Sequence, residues 1–183
     1  SGVYTVDSIT GVVLQQIGND IYGQKKNDHS GMSVSLSSDG SIVAIGAPHH
    51  YVHPHLSSHS GNVRVFQSNG TGWNQLGGDI DGEEVWSESG HSVSISDDGN
   101  IVAIGAPWNN GNGSNSGHVR IYNWDGSSWI QIGNDIDGEA TDDKSSGGTG
   151  IFLNGDGTII AIGARHNDGN GAESGHVRAL KHI

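Results

Sequence analysis

Cysteine is absent from the 183 residues, which excludes disulfide bridges, thiolate metal sites and a cysteine nucleophile. Basic residues are scarce. Eight Lys and Arg stand against 20 Asp and Glu, a formal net charge of −12. A surface this acidic repels phosphate backbones and anionic lipid, so nucleic acid is not an expected partner, whereas cations and neutral sugars remain compatible. No apolar run approaches the roughly 20 residues of a membrane-spanning helix. No secretory leader is recognisable, and a first residue of Ser rather than Met points to a processed form or a fragment. Proline is rare, at three residues, while glycine is abundant, at 31. The glycines do not recur at every third position, which excludes a collagen-like chain. They fall instead in turns between short Val- and Ile-rich runs, as in an all-β protein.

The chain repeats itself. "IVAIGAP" occurs at 42–48 and 101–107, and "IIAIGAR" follows at 159–165. "SGNVR" at 60–64 returns as "SGHVR" at 116–120 and 174–178. "QQIGNDIYG" at 15–23 returns as "NQLGGDIDG" at 74–82 and "IQIGNDIDG" at 130–138. Each unit is about 58 residues long and reads as four strands, a to d. Strand a, "SVSLS" or "SVSIS", alternates with period two, Val34 and Leu36 on one face and serines on the other. The Asp-Gly pairs Asp39-Gly40, Asp98-Gly99 and Asp156-Gly157 predict two-residue hairpins with positive φ at both residues. Strand b, "IVAIGA", is apolar on both faces, as in a strand buried from both sides. In strand c the expected inward residues are Val63 and Val65, with Arg64 and Phe66 outward. Strand d is "WNQLG" or "WIQIG". Four antiparallel strands per repeat of this length describe a β-propeller blade.

"SGMSVSLSSDGSIVAIGAP" (30–48), "SGHSVSISDDGNIVAIGAP" (89–107) and "GGTGIFLNGDGTIIAIGAR" (147–165) resemble FG-GAP repeats, the blades of integrin α-type propellers. Arg165 departs from the pattern where proline is expected. Many such blades carry a calcium loop of the D-x-D-x-D-G kind between strands a and b. The stretches "SSDGS", "SDDGN" and "NGDGT" are too short to supply the six to eight oxygens calcium takes. The chain is therefore similar to the calcium-free variety, and the family's usual calcium site is not expected here.

The resemblance implies one propeller domain over 1–183. Residues 1–29 supply strands that complete a blade, 30–88 and 89–146 are full repeats, and 147–183 is an incomplete third. Three blades do not close a propeller, which takes four to eight. A head-to-tail homodimer with six blades is expected, each N-terminal d strand closing its partner's third blade. Both ends of the chain offer a c strand, so one is surplus.

In the family's topology the b–c and d–a loops share one rim, the face that binds partners in integrin-like propellers. The first b–c loop is rich in histidine, and His49, His50, His53, His55 and His59 are candidate ligands for zinc, copper or nickel. The alternative is a solvated loop tip. Trp86 and Trp108 do not recur in the repeat and fall in rim loops. With Asn109 and Asn110 they form a candidate ligand contact, because indole stacks on a sugar ring and amides bond its hydroxyls. Trp73 and Trp129 do recur and are expected to pack the blades. The acidic "DIDGEE" (79–84) and "DIDGEA" (135–140) are expected to cap turns or pair with the recurring Arg64, Arg120 and Arg178 rather than to bind a cation. No serine stands in a G-x-S-x-G elbow, and no other pattern points to catalysis.

Three functions follow as expectations. The first is a non-enzymatic extracellular or cell-surface binding protein of the lectin or adhesion type, taking carbohydrate or protein. The second is a transition-metal protein or metalloenzyme using the His-rich loop. The third is an oligomeric carrier of an apolar small molecule.

Overall fold

The computed structural model of the chain describes residues 3–6, 13–51, 59–146 and 150–181. These residues form an all-β, propeller-like arrangement of antiparallel sheets. An N-terminal ribbon pairs β1 (Val3–Val6) with β2 (Val13–Gln15). The first full sheet holds β3 (Ser33–Leu36), β4 (Ile42–Ala47), β5 (Asn62–Ser68), β6 (Trp73–Gln75) and β7 (Ile80–Asp81). The second repeats it with β8 (Ser92–Ile95), β9 (Ile101–Ala106), β10 (His118–Trp124), β11 (Trp129–Gln131) and β12 (Ile136–Asp137). The third consists of β13 (Ile151–Leu153), β14 (Ile159–Ala164) and β15 (His176–Lys181).

The strands run in sequence order across each sheet, with β6 and β7 both pairing β5, and β11 and β12 both pairing β10. Strand d is thus one strand position interrupted near Gly77-Gly78 and Gly133-Asn134. The first strands of the three sheets lie side by side, β8 between β3 and β13. Serine hydroxyls tie them together. Ile95 N donates to Ser35 Oγ at 3.1 Å, and Leu153 N donates to Ser94 Oγ at 2.9 Å. The serine face of strand a, polar by composition, therefore bonds the next sheet rather than solvent.

Between the sheets lie two apolar layers. Ile42, Ala44, Val63 and Val65 of the first sheet pack on Val93, Ile95, Val102 and Ile104 of the second. Ala103, Val119 and Ile121 of the second pack on Ile151, Leu153, Ile160 and Ile162 of the third. Covering both faces of a strand demands apolar residues at consecutive positions, which is why strand b reads as an unbroken run. It also corrects the expected in-out pattern of strand c. Arg64 and Phe66 are buried too, on the opposite face from Val63 and Val65.

The outer faces of the stack stay open. Val34 and Leu36 are 63% and 58% exposed on the first sheet, although their counterparts Val93 and Ile95 are buried. Phe152 and Val177 are 71% and 72% exposed on the third. The hairpins differ from the two-residue expectation. Gly40, Gly99 and Gly157 have positive φ, but the preceding aspartates do not. Gly40 N donates to Ser37 O, and Ser37 N donates to Ile42 O, which makes a four-residue loop over 38–41. The aspartate holds that loop by accepting hydrogen bonds from Ser37 Oγ and Ser41 N. A positive φ is needed at the glycine alone.

Candidate functional site

Loops that join strand d to strand a meet the b–c loops along one rim. Ser87 Oγ and Ser89 N both donate to Ser60 O, and Trp108 N donates to Ser87 O. These contacts seat the loop 82–91 between the b–c loops of the first and second sheets. Trp86 projects from it with 55% of its surface exposed.

The backbone at Trp86 is left-handed, at φ 68°. Its counterparts in the other two loops are Asn27 and Asp142, at φ 66° and 63°. Asn and Asp tolerate this region, whereas a bulky side chain there is strained. The tryptophan is thus carried at a position the fold otherwise gives to a small polar residue.

A stack of rings adjoins it. His59 meets the indole edge-on at 5.1 Å between centroids, and lies 4.7 Å from His49 and 4.5 Å from Tyr51. His29 stands 4.1 Å beyond His49. Glu88 lies 3.6 Å from His49 Nε2. Burial holds the His49 imidazole below its ordinary pKa; Glu88 opposes this, and the nearby His29, His59 and His91 reinforce it. His29 and His91 were not legible as part of this cluster, because they belong to d–a loops far along the chain from the His-rich stretch.

The other candidates separate. His50 is buried with its Nδ1 3.1 Å from Asp28 Oδ2. Its counterpart Asn167 bonds Asp143 Oδ2 at the same distance. His50 thus fills a recurring structural position. His53 and His55 lie outside the described residues. Trp108 is folded down, its Nε1 donating to Glu88 Oε2 at 3.1 Å and its ring covered by Lys144 Nζ at 4.6 Å. Asn109 is buried and turns its own loop by accepting from Gly111 N. Asn110 is exposed but serves its loop as well, accepting from Asn115 N.

The recurring arginines reach across the seams between sheets. Arg64, Arg120 and Arg178 donate to the backbone oxygens of Tyr22, Asp81 and Asp137, respectively. Arg120 and Arg178 also pair with Glu83 and Glu139. The arginine partner in the acidic loops is thus a main-chain oxygen and a glutamate. The leading aspartate of each loop accepts from a strand-d glutamine instead, as Gln16 to Asp20, Gln75 to Asp79 and Gln131 to Asp135.

Among the described residues, one trio of potential metal ligands has its ligand atoms all within 4.8 Å of one another: Glu83, His118 and Asp135. Burial first, then the Arg120 charge, pushes the His118 pKa down to about 4, against the pull of Asp135 and Glu84. Elsewhere, the inner strands frame an open groove of about 500 Å³, walled by Val34, Val93, Ile151 and Phe152. Val34 and Phe152 of these walls belong to the open sheet faces, and Val93 and Ile151 to the layers between sheets.

Residues 87–122, from the rim loop into β10, match the FG-GAP repeat family. FG-GAP repeats are found in β-propeller proteins. No curated protein matches the chain.

Proposed function

We propose that this protein is a non-enzymatic binding module of the extracellular or cell-surface kind, taking a carbohydrate ligand on the loop rim between its first two sheets. The observation that carries this reading is Trp86, half exposed at a left-handed φ where the equivalent loops place Asn27 and Asp142. Strain kept at one copy of a repeated loop is a mark of function. The indole offers an apolar face, and Tyr51, His49 and His59 offer polar edges beside it. Trp108 takes no part in this reading, because its indole is engaged by Glu88 and Lys144. A glycan array probed with the full chain is expected to give hits that Trp86→Ala weakens at least tenfold and Trp108→Ala leaves within twofold. An array without hits, together with no binding to cell or matrix extracts, sinks the reading.

A second reading, transition-metal binding at the same rim, draws on the convergence of His29, His49, His59 and His91. Elemental analysis of protein purified without a nickel column tests it; less than a tenth of an equivalent of any transition metal rejects it.

We further infer that two copies close a six-bladed ring. Residues 15–24 lie before the first sheet as a preceding d strand does. Trp73 Nε1 donates to Ile17 O at 3.1 Å, just as Trp129 Nε1 donates to Leu76 O at 2.8 Å. Arg64 reaches Tyr22 O as Arg120 reaches Asp81 O. The third sheet has no d strand among the described residues. In the ring, β2 of one copy pairs β15 of the other, and β1 is the surplus strand that gives way. Light scattering is expected to give twice the 19.0 kDa of one chain; a monomer at micromolar concentration contradicts the ring.

A further inference from the structure

We propose that the seam between the first two sheets holds a divalent transition-metal ion on Glu83, His118 Nδ1 and Asp135. The three residues come from separate elements. Glu83 lies in the loop after β7, His118 opens β10, and Asp135 lies between β11 and β12. One ligand atom of each lies within 4.8 Å of the other two.

His118 is only 2% exposed, and its Nδ1 has no hydrogen-bond partner. Asp135 Oδ2 is 3.4 Å from that nitrogen, within ion-pair reach but without hydrogen-bond alignment. A buried polar atom left in this state is costly, and native folds rarely keep one without a use. Glu83 and Asp135 each bring a carboxylate to the imidazole, and neither carries a donor when ionised. A cation satisfies all three at once.

The first sheet contains the same corner built from different side chains. Gln24, Asn62 and Asp79 are the counterparts of Glu83, His118 and Asp135. There, Gln24 Nε2 donates to Asp79 Oδ2 at 2.9 Å, and Asn62 Nδ2 donates to the same oxygen at 3.4 Å. Two amides thus close the corner on one carboxylate, and no ion is called for. In the second sheet one amide has become a carboxylate and the other an imidazole. The carboxylate removes a donor, the imidazole offers a ring nitrogen in place of an amide nitrogen, and each adds a good metal-ligand atom.

The surroundings leave the ligand atoms available. Arg120 Nη1 is 3.0 Å from Glu83 Oε1, and Gln131 Nε2 donates to Asp135 Oδ1 at 2.7 Å. A carboxylate has two oxygens, so each residue keeps one for the ion. Glu84 and Asp137 add negative potential, which offsets the guanidinium. One imidazole nitrogen and two carboxylate oxygens suit zinc or another first-row ion better than calcium, which takes six to eight oxygens.

Isothermal titration with zinc at pH 7 tests the site. The rim imidazole cluster is first broken by His49→Ala and His59→Ala, and this parent is expected to bind one zinc per chain. His118→Asn and Glu83→Gln each install the residue found in the first sheet's corner, so the fold tolerates them. Each is expected to abolish that equivalent and the accompanying rise in Tm. In the native chain, the same substitutions are expected to lower zinc stoichiometry by one, which keeps the test intact if the double variant fails to fold. A parent that takes up no zinc overturns the proposal, and so does uptake unchanged in both variants.

Discussion

Gly46 and Gly163 occupy the same place in the repeat, but a methyl group would meet different surroundings at each. At Gly46 an added Cβ falls 2.0 Å from Gly90 O, a backbone atom of the next sheet's entry loop. At Gly163 the nearest atom among the described residues is 3.7 Å away. Gly46→Ala is therefore expected to cost about 3 kcal/mol, at the upper end for overpacking. Gly163→Ala is expected to stay within about 0.5 kcal/mol in the isolated chain, as surface changes do. Urea denaturation of both variants checks the contrast, and equal losses would refute this account of the sheet spacing. Trp86 carries the opposite lesson. Replacing it with the Asn of its counterpart relieves left-handed strain, so Trp86→Asn is expected to raise stability by about 1 kcal/mol while ligand binding falls. The sequence marked Trp86 by its failure to recur, but φ cannot be read from residue identity. Trp108 carried the same mark and belongs elsewhere, because Glu88 and Lys144 reach it only once the rim is folded.

At the scale of elements, strand a has two tasks. Its apolar residues pack against the preceding sheet, and its serines bond the following one. Ser94→Ala leaves the Leu153 amide buried without an acceptor, which is expected to cost about 1–3 kcal/mol. Hydrogen exchange should localise the loss, with the Leu153 amide exchanging much faster while amides of β4 and β5 keep their protection. Period-two alternation made strand a and its serine face legible from sequence, but not that this face joins two sheets. Composition alone does not distinguish a polar face turned to water from one turned to a neighbouring backbone. The a–b hairpins show a similar limit. Asp-Gly correctly marked their position, but the aspartate acts as an acceptor in a longer loop. Hydrogen bonds from Ser41 N and then Ser37 hold Asp39 down to about 2, and related bonds lower Asp98 and Asp156. A carboxylate lowered by folding stabilises the protein above its unfolded pKa of about 3.8. That contribution is lost as the pH falls through the folded value. Carboxyl carbon shifts are expected to titrate near pH 2 for Asp39, and Ser37→Ala should move that midpoint upward. A midpoint near 3.8 in the native chain would remove the aspartate from its assigned role.

At the scale of the whole molecule, the repeat was the most legible feature, because three copies of "AIGA" and "GxVR" impose the same sheet three times. The all-β class and the order of strands followed from it directly. The metal corner was only partly legible: Glu83 and Asp135 are visible as acidic-loop carboxylates, but nothing in the sequence joins them to His118, which meets them only across a seam. Distance along the chain hid the two open faces, which also yield the most searching test of the ring. Gly46 and Gly105 abut the following sheet so closely that a Cβ at either would strike it. Gly163 is their counterpart on the face bearing Phe152 and Val177. If a second copy docks its Val34 and Leu36 face there, Gly163 must meet the partner's backbone as Gly46 meets Gly90 O. Gly163→Ala is then expected to leave the monomer folded yet weaken assembly roughly 10⁴-fold, because the two-copy ring closes through two such seams at about 3 kcal/mol each. Ser94→Ala, which acts inside the chain, should lower stability without moving that equilibrium. Sedimentation equilibrium of the native chain and both variants separates the cases. A Gly163→Ala chain that assembles as tightly as the native one would mean that whatever covers this face does not repeat the packing seen between the sheets.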